Sequence, residues 1–305
     1  LITYLYALKA CGVARAIGKG KQIHKEIIRG HMLKESIELN SALVDMYSKC
    51  GMMAKAYEVF EEHPVRNVVS WNALIAGFAQ EGQGHEALNC YEKMQRDSVI
   101  PNAHTYVCSL KACGILKDAK NGEKIHADLI RKDLLTNQMV GSALIDMYAK
   151  CGFPATAEHL FSRILNPDIV SWNALISGYT DAGHSEEALR CYNKMLRSGV
   201  SPDAITLLCG LKACGNVDAI DKGREIHIES TQRGLETDVS VGSTLVDMYA
   251  KCGSLLEARN VFDSLLLRDV VAWNAMIKGY GLNHDGGTSL QFFIDMENEG
   301  MLPNS

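Results

Sequence analysis

The chain has 305 residues, of which 47% are hydrophobic and 22% are charged, and its net charge is −5 at pH 7. This apolar content excludes a disordered chain, and no run of apolar residues approaches the roughly 18 that a membrane span needs. The 36 acidic residues outnumber the 31 basic ones, which excludes strong nonspecific attraction to nucleic acid phosphates.

A block of 101 residues recurs three times along the chain. The recurrence is visible in three tryptophans, Trp71, Trp172 and Trp273. An Asp-Met-Tyr triplet has the same spacing, beginning at Asp45, Asp146 and Asp247. A strict period indicates stacked repeats, none of which can bury its apolar face alone. The question is therefore what the array binds rather than where an active site lies.

Each block divides into three repeats of about 35, 31 and 35 residues, which we name long, short and standard. We place the long repeats at 1–36, 103–137 and 204–238, the short repeats at 37–67, 138–168 and 239–269, and the standard repeats at 68–102, 169–203 and 270–304. Only Ser305 is left over, and Leu1 is not a start methionine. We expect the sequence to be a piece of a longer protein, cut at repeat boundaries.

The spacing of apolar residues predicts two helices in each repeat. In the first short repeat the apolar residues Leu43, Met46, Tyr47 and Cys50 form a helical stripe. Gly51 follows the stripe, and a glycine at this place is typical of a left-handed cap. In the first standard repeat one stripe comprises Trp71, Leu74, Ile75 and Phe78, and the next comprises Ala87, Cys90, Tyr91 and Met94. Pro101 then breaks the chain. We expect an all-α fold: a solenoid of α-α helical hairpins, similar to tetratricopeptide arrays, wound as a right-handed superhelix with a concave groove.

The tryptophans, cysteines and histidines have ordinary packing interpretations. The tryptophans lie within the apolar stripes, so we expect them in the core. The ten cysteines occupy repeat positions and no two are three apart, which favours small buried thiols in a reducing compartment over zinc ligands. His24 and His227 each precede a glutamate by two residues, as in zinc deaminases, but the second half of that signature is absent. We expect helix packing here, and no catalytic residue, metal or cofactor.

Three segments of the first standard repeat carry a family resemblance. They read Val-Val-Ser-Trp-Asn-Ala-Leu-Ile-Ala-Gly-Phe from 68 to 78, Glu-Ala-Leu-Asn-Cys-Tyr-Glu-Lys-Met from 86 to 94, and Pro-Asn at 101–102. These segments resemble pentatricopeptide repeats, and the rotation of repeat lengths resembles the plant PLS subclass of organellar RNA-editing factors. The resemblance implies binding of single-stranded RNA at about one base per repeat. It further implies selection of C-to-U editing sites in a mitochondrion or chloroplast, with editing co-factors or a deaminase supplied in trans or by a C-terminal domain.

The fifth residue of each repeat is uncharged. It is an amide in the standard repeats (Asn72, Asn173 and Asn274), a hydroxyl in the short repeats (Ser41, Ser142 and Ser243) and apolar in the long repeats (Leu5, Val107 and Leu208). Amides and hydroxyls can both donate to and accept from a base edge. Helix capping selects the same residues. In the standard repeats Ser70 and Ser171 are better placed as caps, which favours base contact for Asn72 and Asn173; for the serines both roles stay open.

The last residue of the short and standard repeats gives a second polar position: Asn67, Asn102, Asp168, Asp203, Asp269 and Asn304. An Asx turn between hairpins is the alternative role. The resemblance implies that the fifth and last residues choose the base together, and it pairs Ser41 with Asn67 for A, Asn72 with Asn102 for C or U, Ser142 with Asp168 for G, Asn173 with Asp203 for U, Ser243 with Asp269 for G, and Asn274 with Asn304 for C or U. The long repeats have no readable pair, so the expected RNA is N-A-Y-N-G-U-N-G-Y, where Y is a pyrimidine.

Two further sets of residues have open roles. By resemblance the second residues of the standard repeats pack against base faces, although hairpin packing is equally compatible with Val69, Val170 and Val271. A lysine recurs at the end of a first helix, where it could contact phosphate or the helix dipole, at Lys49, Lys150 and Lys251. A tetratricopeptide-like scaffold that binds protein is the competing class, and an organellar RNA processing or stabilising factor without editing is a third. The uncharged fifth residues speak against charged peptide clamps.

Overall fold

The computed structural model describes residues 1–30, 32, 36–235 and 238–302, and these contain eighteen α-helices and no β-strand. Residues 1–164 form one compact part, with helices α1 (Ile2–Val13), α2 (Ile17–Arg29), α3 (Ile37–Lys49), α4 (Met53–Glu62), α5 (Val68–Gln80), α6 (Gly84–Arg96), α7 (Ala103–Leu116), α8 (Ala119–Arg131), α9 (Gln138–Lys150) and α10 (Pro154–Phe161). Residues 165–305 form a second part, with α11 (Ile169–Asp181), α12 (Ser185–Arg197), α13 (Ala204–Asn216), α14 (Ile220–Gln232), α15 (Val239–Lys251), α16 (Leu255–Ser264), α17 (Val270–Leu282) and α18 (Gly286–Asn298).

The helices pair into hairpins, as the sequence predicts. In each part an odd-numbered first helix packs against the even-numbered second helix that follows it. First helices also contact one another in series, α1 to α9 in the N-terminal part and α11 to α17 in the C-terminal part. Among the described residues, no second helix contacts another second helix. Each part is therefore a layer of first helices with the second helices packed on it, which confirms the helical-hairpin architecture.

The tryptophans form the core between neighbouring helices, as predicted. Trp71, Trp172 and Trp273 are each at most 2% exposed. The ring of Trp71 packs edge-on against Phe60 with centroids 4.5 Å apart, and Trp273 packs in the same way against Phe262 at 4.8 Å. Edge-to-face contacts of this kind add to the free energy gained from burying the rings. The apolar stripes thus fix how the first and last short repeats dock on the standard repeats that follow them.

The first helix of each short repeat ends in a left-handed glycine, which confirms the predicted cap. Gly51 has φ +74°, and its N–H donates to the carbonyl of Ser48 at 3.0 Å. The next N–H, of Met52, donates to Tyr47 at 2.9 Å, which completes a Schellman motif. Equivalent bonds surround Gly152 and Gly253. Glycine adopts this φ without steric strain, so the motif turns the chain sharply into the second helix.

The two histidines that fit half of a deaminase signature, His24 and His227, are packing residues, as expected, and so is His126 at the same position of its repeat. Each histidine ring lies 2.9 to 3.0 Å from the hydroxyl of a tyrosine on the following first helix, in the pairs His24–Tyr47, His126–Tyr148 and His227–Tyr249. The rings meet edge-on with centroids 5.6 to 5.7 Å apart. These pairs join each long repeat to the short repeat that follows it.

The histidine pairs predict that the chain loses stability on acidification. Burial, with Lys55 nearby for His24 and Arg163 for His126, lowers the pKa of both imidazoles below 6.5. The unfolded chain therefore binds more protons, so their contribution is present above about pH 6.5 and is lost as the pH falls through their folded pKa values. We expect urea unfolding to give a lower free energy at about pH 5.5 than at about pH 7.5. A His24→Gln/His126→Gln variant should lose less over that interval, and equal losses in the two proteins would contradict this assignment.

All ten thiols are unpaired, although not all are buried. Six are buried, while four are partly exposed: Cys50, Cys151, Cys209 and Cys252. Burial raises the pKa of Cys113 and Cys214 to about 12, so these thiols stay protonated and unreactive at neutral pH. Within the described ranges, no group of three or more His, Cys, Asp or Glu side chains could hold a metal ion. None of the described helices is long and apolar enough to cross a membrane.

Candidate functional site

The last residue of a short or standard repeat caps the first helix of the next repeat. Asn67 has extended backbone angles, and its Oδ1 accepts from the N–H of Ser70 at 2.9 Å. The same cap occurs at Asn102, Asp168, Asp203 and Asp269 with distances of 2.9 to 3.1 Å. The expected role of Ser70 and Ser171 as caps is therefore wrong. Ser70 and Ser171 lie at the third position of their helices. Their backbone N–H groups are the ones that donate to the caps, Asn67 and Asp168.

The fifth residue lies beyond the cap, in the second turn of the first helix. Ser41 donates to the carbonyl of Ile37 at 2.8 Å, and Ser142 donates to that of Gln138 at 2.9 Å. The helices of the short repeats are capped instead by the last residue of the preceding long repeat, at Ser36, Asn137 and Asp238. The alternative that the serines at position five are caps is thus wrong.

The structure brings the predicted fifth and last residues together in four repeats. Ser41 Oγ lies 3.2 Å from Asn67 Oδ1, which shares the hydrogen that the hydroxyl donates to Ile37 at 2.8 Å. Ser243 Oγ donates to Asp269 Oδ1 at 2.7 Å. In the standard repeats the amide donates: Asn72 Nδ2 lies 3.1 Å from Asn102 Oδ1, and Asn173 Nδ2 lies 2.9 Å from both oxygens of Asp203. The last residue therefore has two partners, one from its own repeat and one from the helix that it caps.

In the two remaining predicted pairs, the members do not both lie within one described part of the structure. Ser142 belongs to the N-terminal part and Asp168 to the C-terminal part. Asn274 is half-buried on α17, whereas Asn304 lies outside the described residues.

Burial differs sharply within a pair. The fifth residues are almost covered, with Asn72 and Asn173 each 8% exposed, Ser41 4% and Ser243 1%. Three of their partners, Asn67, Asp203 and Asp269, are half-buried, and the fourth, Asn102, is exposed. A ligand can therefore reach each pair only along a narrow polar edge, mainly on the side of the last residue.

Burial also acts on the carboxylate of Asp203. It raises the pKa, but hydrogen bonds from Thr206 and from the Asn173 amide outweigh it and hold the pKa below its ordinary value. Asp203 is consequently ionised at neutral pH and can only accept hydrogen bonds.

The second residues of the standard repeats lie on the surface. Val69, Val170 and Val271 are 54 to 57% exposed, so packing within the hairpin does not account for them. Each lies three residues before its asparagine and thus on the same helix face. Sequence reasoning missed the equivalent residues of other repeats, which are also apolar and exposed: Ile2, Met139 and Ile205. Their position in the repeat could have identified them, because Met139 and Ile205 come one residue after the first residue of a helix and Ile2 comes one residue after the start of the chain.

The recurrent lysines are the last residues of their first helices, and each is bound to an aspartate one turn earlier. The ammonium groups lie 2.7 Å from the carboxylates in the pairs Lys49–Asp45, Lys150–Asp146 and Lys251–Asp247. The lysine side chains remain 35 to 46% exposed. Exposed pairs of this kind are weak. A phosphate could share these lysines only in competition with an aspartate.

Comparisons with known proteins agree with this architecture. A profile of the PPR repeat family matches residues 66–114 and 167–216, and a PPR repeat profile matches 41–62, 142–166, 243–270 and 271–301. The chain is 38% identical to the Arabidopsis thaliana pentatricopeptide repeat-containing protein At4g18520, chloroplastic, over 96% of this chain and 47% of that protein. It is 37% identical to At3g02330, mitochondrial, from the same plant, over 97% of this chain and 35% of that protein. The chain therefore spans half or less of the length of these relatives.

Solved structures show the same fold. A crystal structure of the pentatricopeptide repeat protein PPR10 in complex with an 18-nt psaJ RNA element superimposes with a TM-score of 0.78 at 20% identity, over 94% of this chain and 43% of that one. PPR10 from maize superimposes with a TM-score of 0.73 at 19% identity, over 94% and 42% of the two chains. The repeat profiles, the relatives and the helical hairpins agree, and the chain belongs to the pentatricopeptide repeat family.

Proposed function

We propose that this chain binds single-stranded RNA in a sequence-specific way, at about one base per repeat. The observation that carries the proposal is the contact between the fifth and last residues, which recurs in four repeats. In the two standard repeats among them it lies beside an exposed apolar second residue, Val69 or Val170. A polar pair can hydrogen-bond a base edge, and an apolar side chain next to it can pack on a base face. The RNA in the PPR10 complex supports the choice of ligand.

The pairs define the RNA that we propose. Ser41 with Asn67, Asn72 with Asn102, Asn173 with Asp203 and Ser243 with Asp269 read A, pyrimidine, U and G, while the pairs of Ser142 with Asp168 and Asn274 with Asn304 add G and pyrimidine. The complete site is N-A-Y-N-G-U-N-G-Y. Because the net charge is −5 and the recurrent lysines are bound to aspartates, we expect affinity to depend little on salt.

We further propose that this recognition selects C-to-U editing sites in organellar transcripts. The rotation of long, short and standard repeats supports the editing subclass, and the names of relatives from chloroplasts and mitochondria support an organelle. The chain spans only part of those relatives, so the deamination step belongs to another segment of the protein or to a deaminase or editing co-factor recruited in trans.

An exchange of one base reader tests the proposal. We expect Asn173→Ser to move the preference at the corresponding base from U to G, because Ser with Asp is the pair proposed for G. Fluorescence anisotropy with RNAs that differ only at this base should show the reversal. Asn193→Ser removes an amide from the second helix of the same repeat, α12, and should leave the preference unchanged. A folded chain that binds no RNA would favour the protein-binding scaffold.

A further inference from the structure

We propose that Thr105 and Thr206, the third residues of two long repeats, are positioning residues that set the base selectivity of the preceding standard repeat. Each threonine fixes the orientation of an asparagine amide that it does not share a repeat with. This inference rests on the proposed RNA-reading function, and it assigns part of each reading site to the next repeat along the chain.

The orientation of Asn72 follows from the backbone. The N–H of Thr105 donates to Asn102 Oδ1 at 3.1 Å, so this atom is an acceptor. The atom of Asn72 that faces it at 3.1 Å must then be the donor Nδ2. The other amide atom, Oδ1, faces the hydroxyl of Thr105 at 2.6 Å, and that hydroxyl must donate. One backbone N–H thus determines, through two side chains, which way the Asn72 amide points.

The same arrangement recurs one block later with a stricter acceptor. Asp203 is ionised and can only accept, so the amide nitrogen of Asn173, 2.9 Å from both carboxylate oxygens, is fixed as the donor. Asn173 Oδ1 then accepts from the hydroxyl of Thr206 at 2.6 Å, a shorter contact than the 2.9 Å between the same hydroxyl and Asp203 Oδ1. Both threonines are completely buried, so water does not compete for these hydroxyls. Two independent copies of the contact make a chance rotamer an insufficient explanation.

A threonine hydroxyl contacts the fifth residue of two standard repeats, whereas no such contact is described for the first and last short repeats. After the first short repeat the third residue is Ser70, and its hydroxyl donates to the carbonyl of its own cap, Asn67, at 2.9 Å. After the last short repeat the third residue is Ala272, which has no hydroxyl. A serine hydroxyl rotates to suit either a donor or an acceptor, whereas a reversed amide exchanges the two. Only the asparagines need an orienting partner.

A fixed amide selects among bases by the order of donor and acceptor. Asn72 has one N–H and one oxygen lone pair left for a ligand, and their relative places are set by Asn102 and Thr105. A base edge with the reverse order meets donor against donor. If the amide could turn over, both orders would be accepted and the selectivity would fall.

Three variants test this role by anisotropy with RNAs that differ at the base assigned to Asn72. We expect Thr105→Val to reduce the preference for a pyrimidine over a purine about three- to tenfold, the effect of one lost hydrogen bond. Thr105→Ser keeps the hydroxyl and should keep the preference. Selectivity at the base assigned to Asn173 should be unchanged in both proteins. The matched control, Ser70→Ala, removes a third-residue hydroxyl from a capping box without touching Ser41, and selectivity at the base of Ser41 should hold.

The outcomes separate the inference from the proposed function. A wild-type chain that binds no RNA, or shows no preference at any base, would overturn both. A wild-type chain that discriminates, with Thr105→Val discriminating equally well, would overturn the positioning role alone. Equal losses of selectivity in Thr105→Val and Ser70→Ala would assign the effect to helix capping and also overturn it. Circular dichroism at each binding temperature verifies that every variant is folded.

Discussion

Replacing Trp71 with alanine is expected to lower the free energy of unfolding by about 3–5 kcal/mol, the usual loss when a large core side chain is truncated. The ring is 1% exposed and packs edge-on against Phe60 with centroids 4.5 Å apart. Its removal leaves a cavity between a short repeat and the standard repeat that follows. Because repeats in an array stabilise one another mainly through such interfaces, urea unfolding followed by circular dichroism should report the loss directly.

Leu266→Ala is the control for this variant. Leu266 is 88% exposed in the equivalent connection between a short and a standard repeat, so we expect a change within about 0.5 kcal/mol. A Trp71→Ala chain as stable as the wild type would mean that the tryptophan is not a core residue. RNA affinity measured well below the unfolding midpoint should be similar in both variants, since neither side chain belongs to a proposed reading pair.

The second large effect is expected for Asp203→Ala, which removes a helix cap and a reading partner together. Loss of an N-cap destabilises a protein by about 1–2 kcal/mol. The change also leaves Asn173 Nδ2 without the carboxylate that it contacts at 2.9 Å. We therefore expect lower stability and, in addition, loss of the preference for U at the base assigned to this repeat, measured by unfolding and by anisotropy on the same preparation.

Asp238→Ala separates the two roles of Asp203. Asp238 caps α15 by accepting from the N–H groups of Ser240 and Val241 at 2.9 and 3.1 Å. The fifth residue of its own repeat is Leu208, which cannot hydrogen-bond to it. This variant should lose similar stability and keep its base preferences. Since the pKa of Asp203 is held below its ordinary value, the difference between the two variants should not change between about pH 6 and pH 8. A loss of preference in both variants would contradict the reading role.

The helices could be predicted from the sequence because their signals are local. The stripe that contains Trp71 and the glycine at position 51 depend only on spacing and on the backbone angles that glycine tolerates. The roles of the polar residues at helix starts could not be separated in this way. Asn and Ser are favoured both as caps and as hydrogen-bonding readers, so the sequence pattern favours a cap at Ser70 whereas the structure has the cap at Asn67. Which residue is the cap depends on where the helix begins to within one residue, and sequence patterns rarely define that boundary.

The rest of the candidate site depends on contacts between repeats. The proximity of Asn72 and Asn102, 30 residues apart, was expected only through the family resemblance, and the hydroxyl of Thr105 was not expected at all. The exposure of Val69 could not be predicted from the sequence either. Val69 and Trp71 are both apolar and lie two residues apart on the same helix, and only their packing shows that Val69 is on the surface.

The contact between Thr105 and Asn72 across a repeat boundary affects how segments of such proteins could be exchanged. A crossover at the 102/103 boundary would keep Asn72 and Asn102 on one segment but would take Thr105 from another parent. A segment from about 68 to 105 would keep Asn72, its acceptor Asn102 and Thr105 together in one transferred segment. Chimaeras joined after the first helical turn should therefore transmit base preference more faithfully than those joined at the repeat boundary, and an exchangeable cassette is best chosen to overlap its neighbour by three residues.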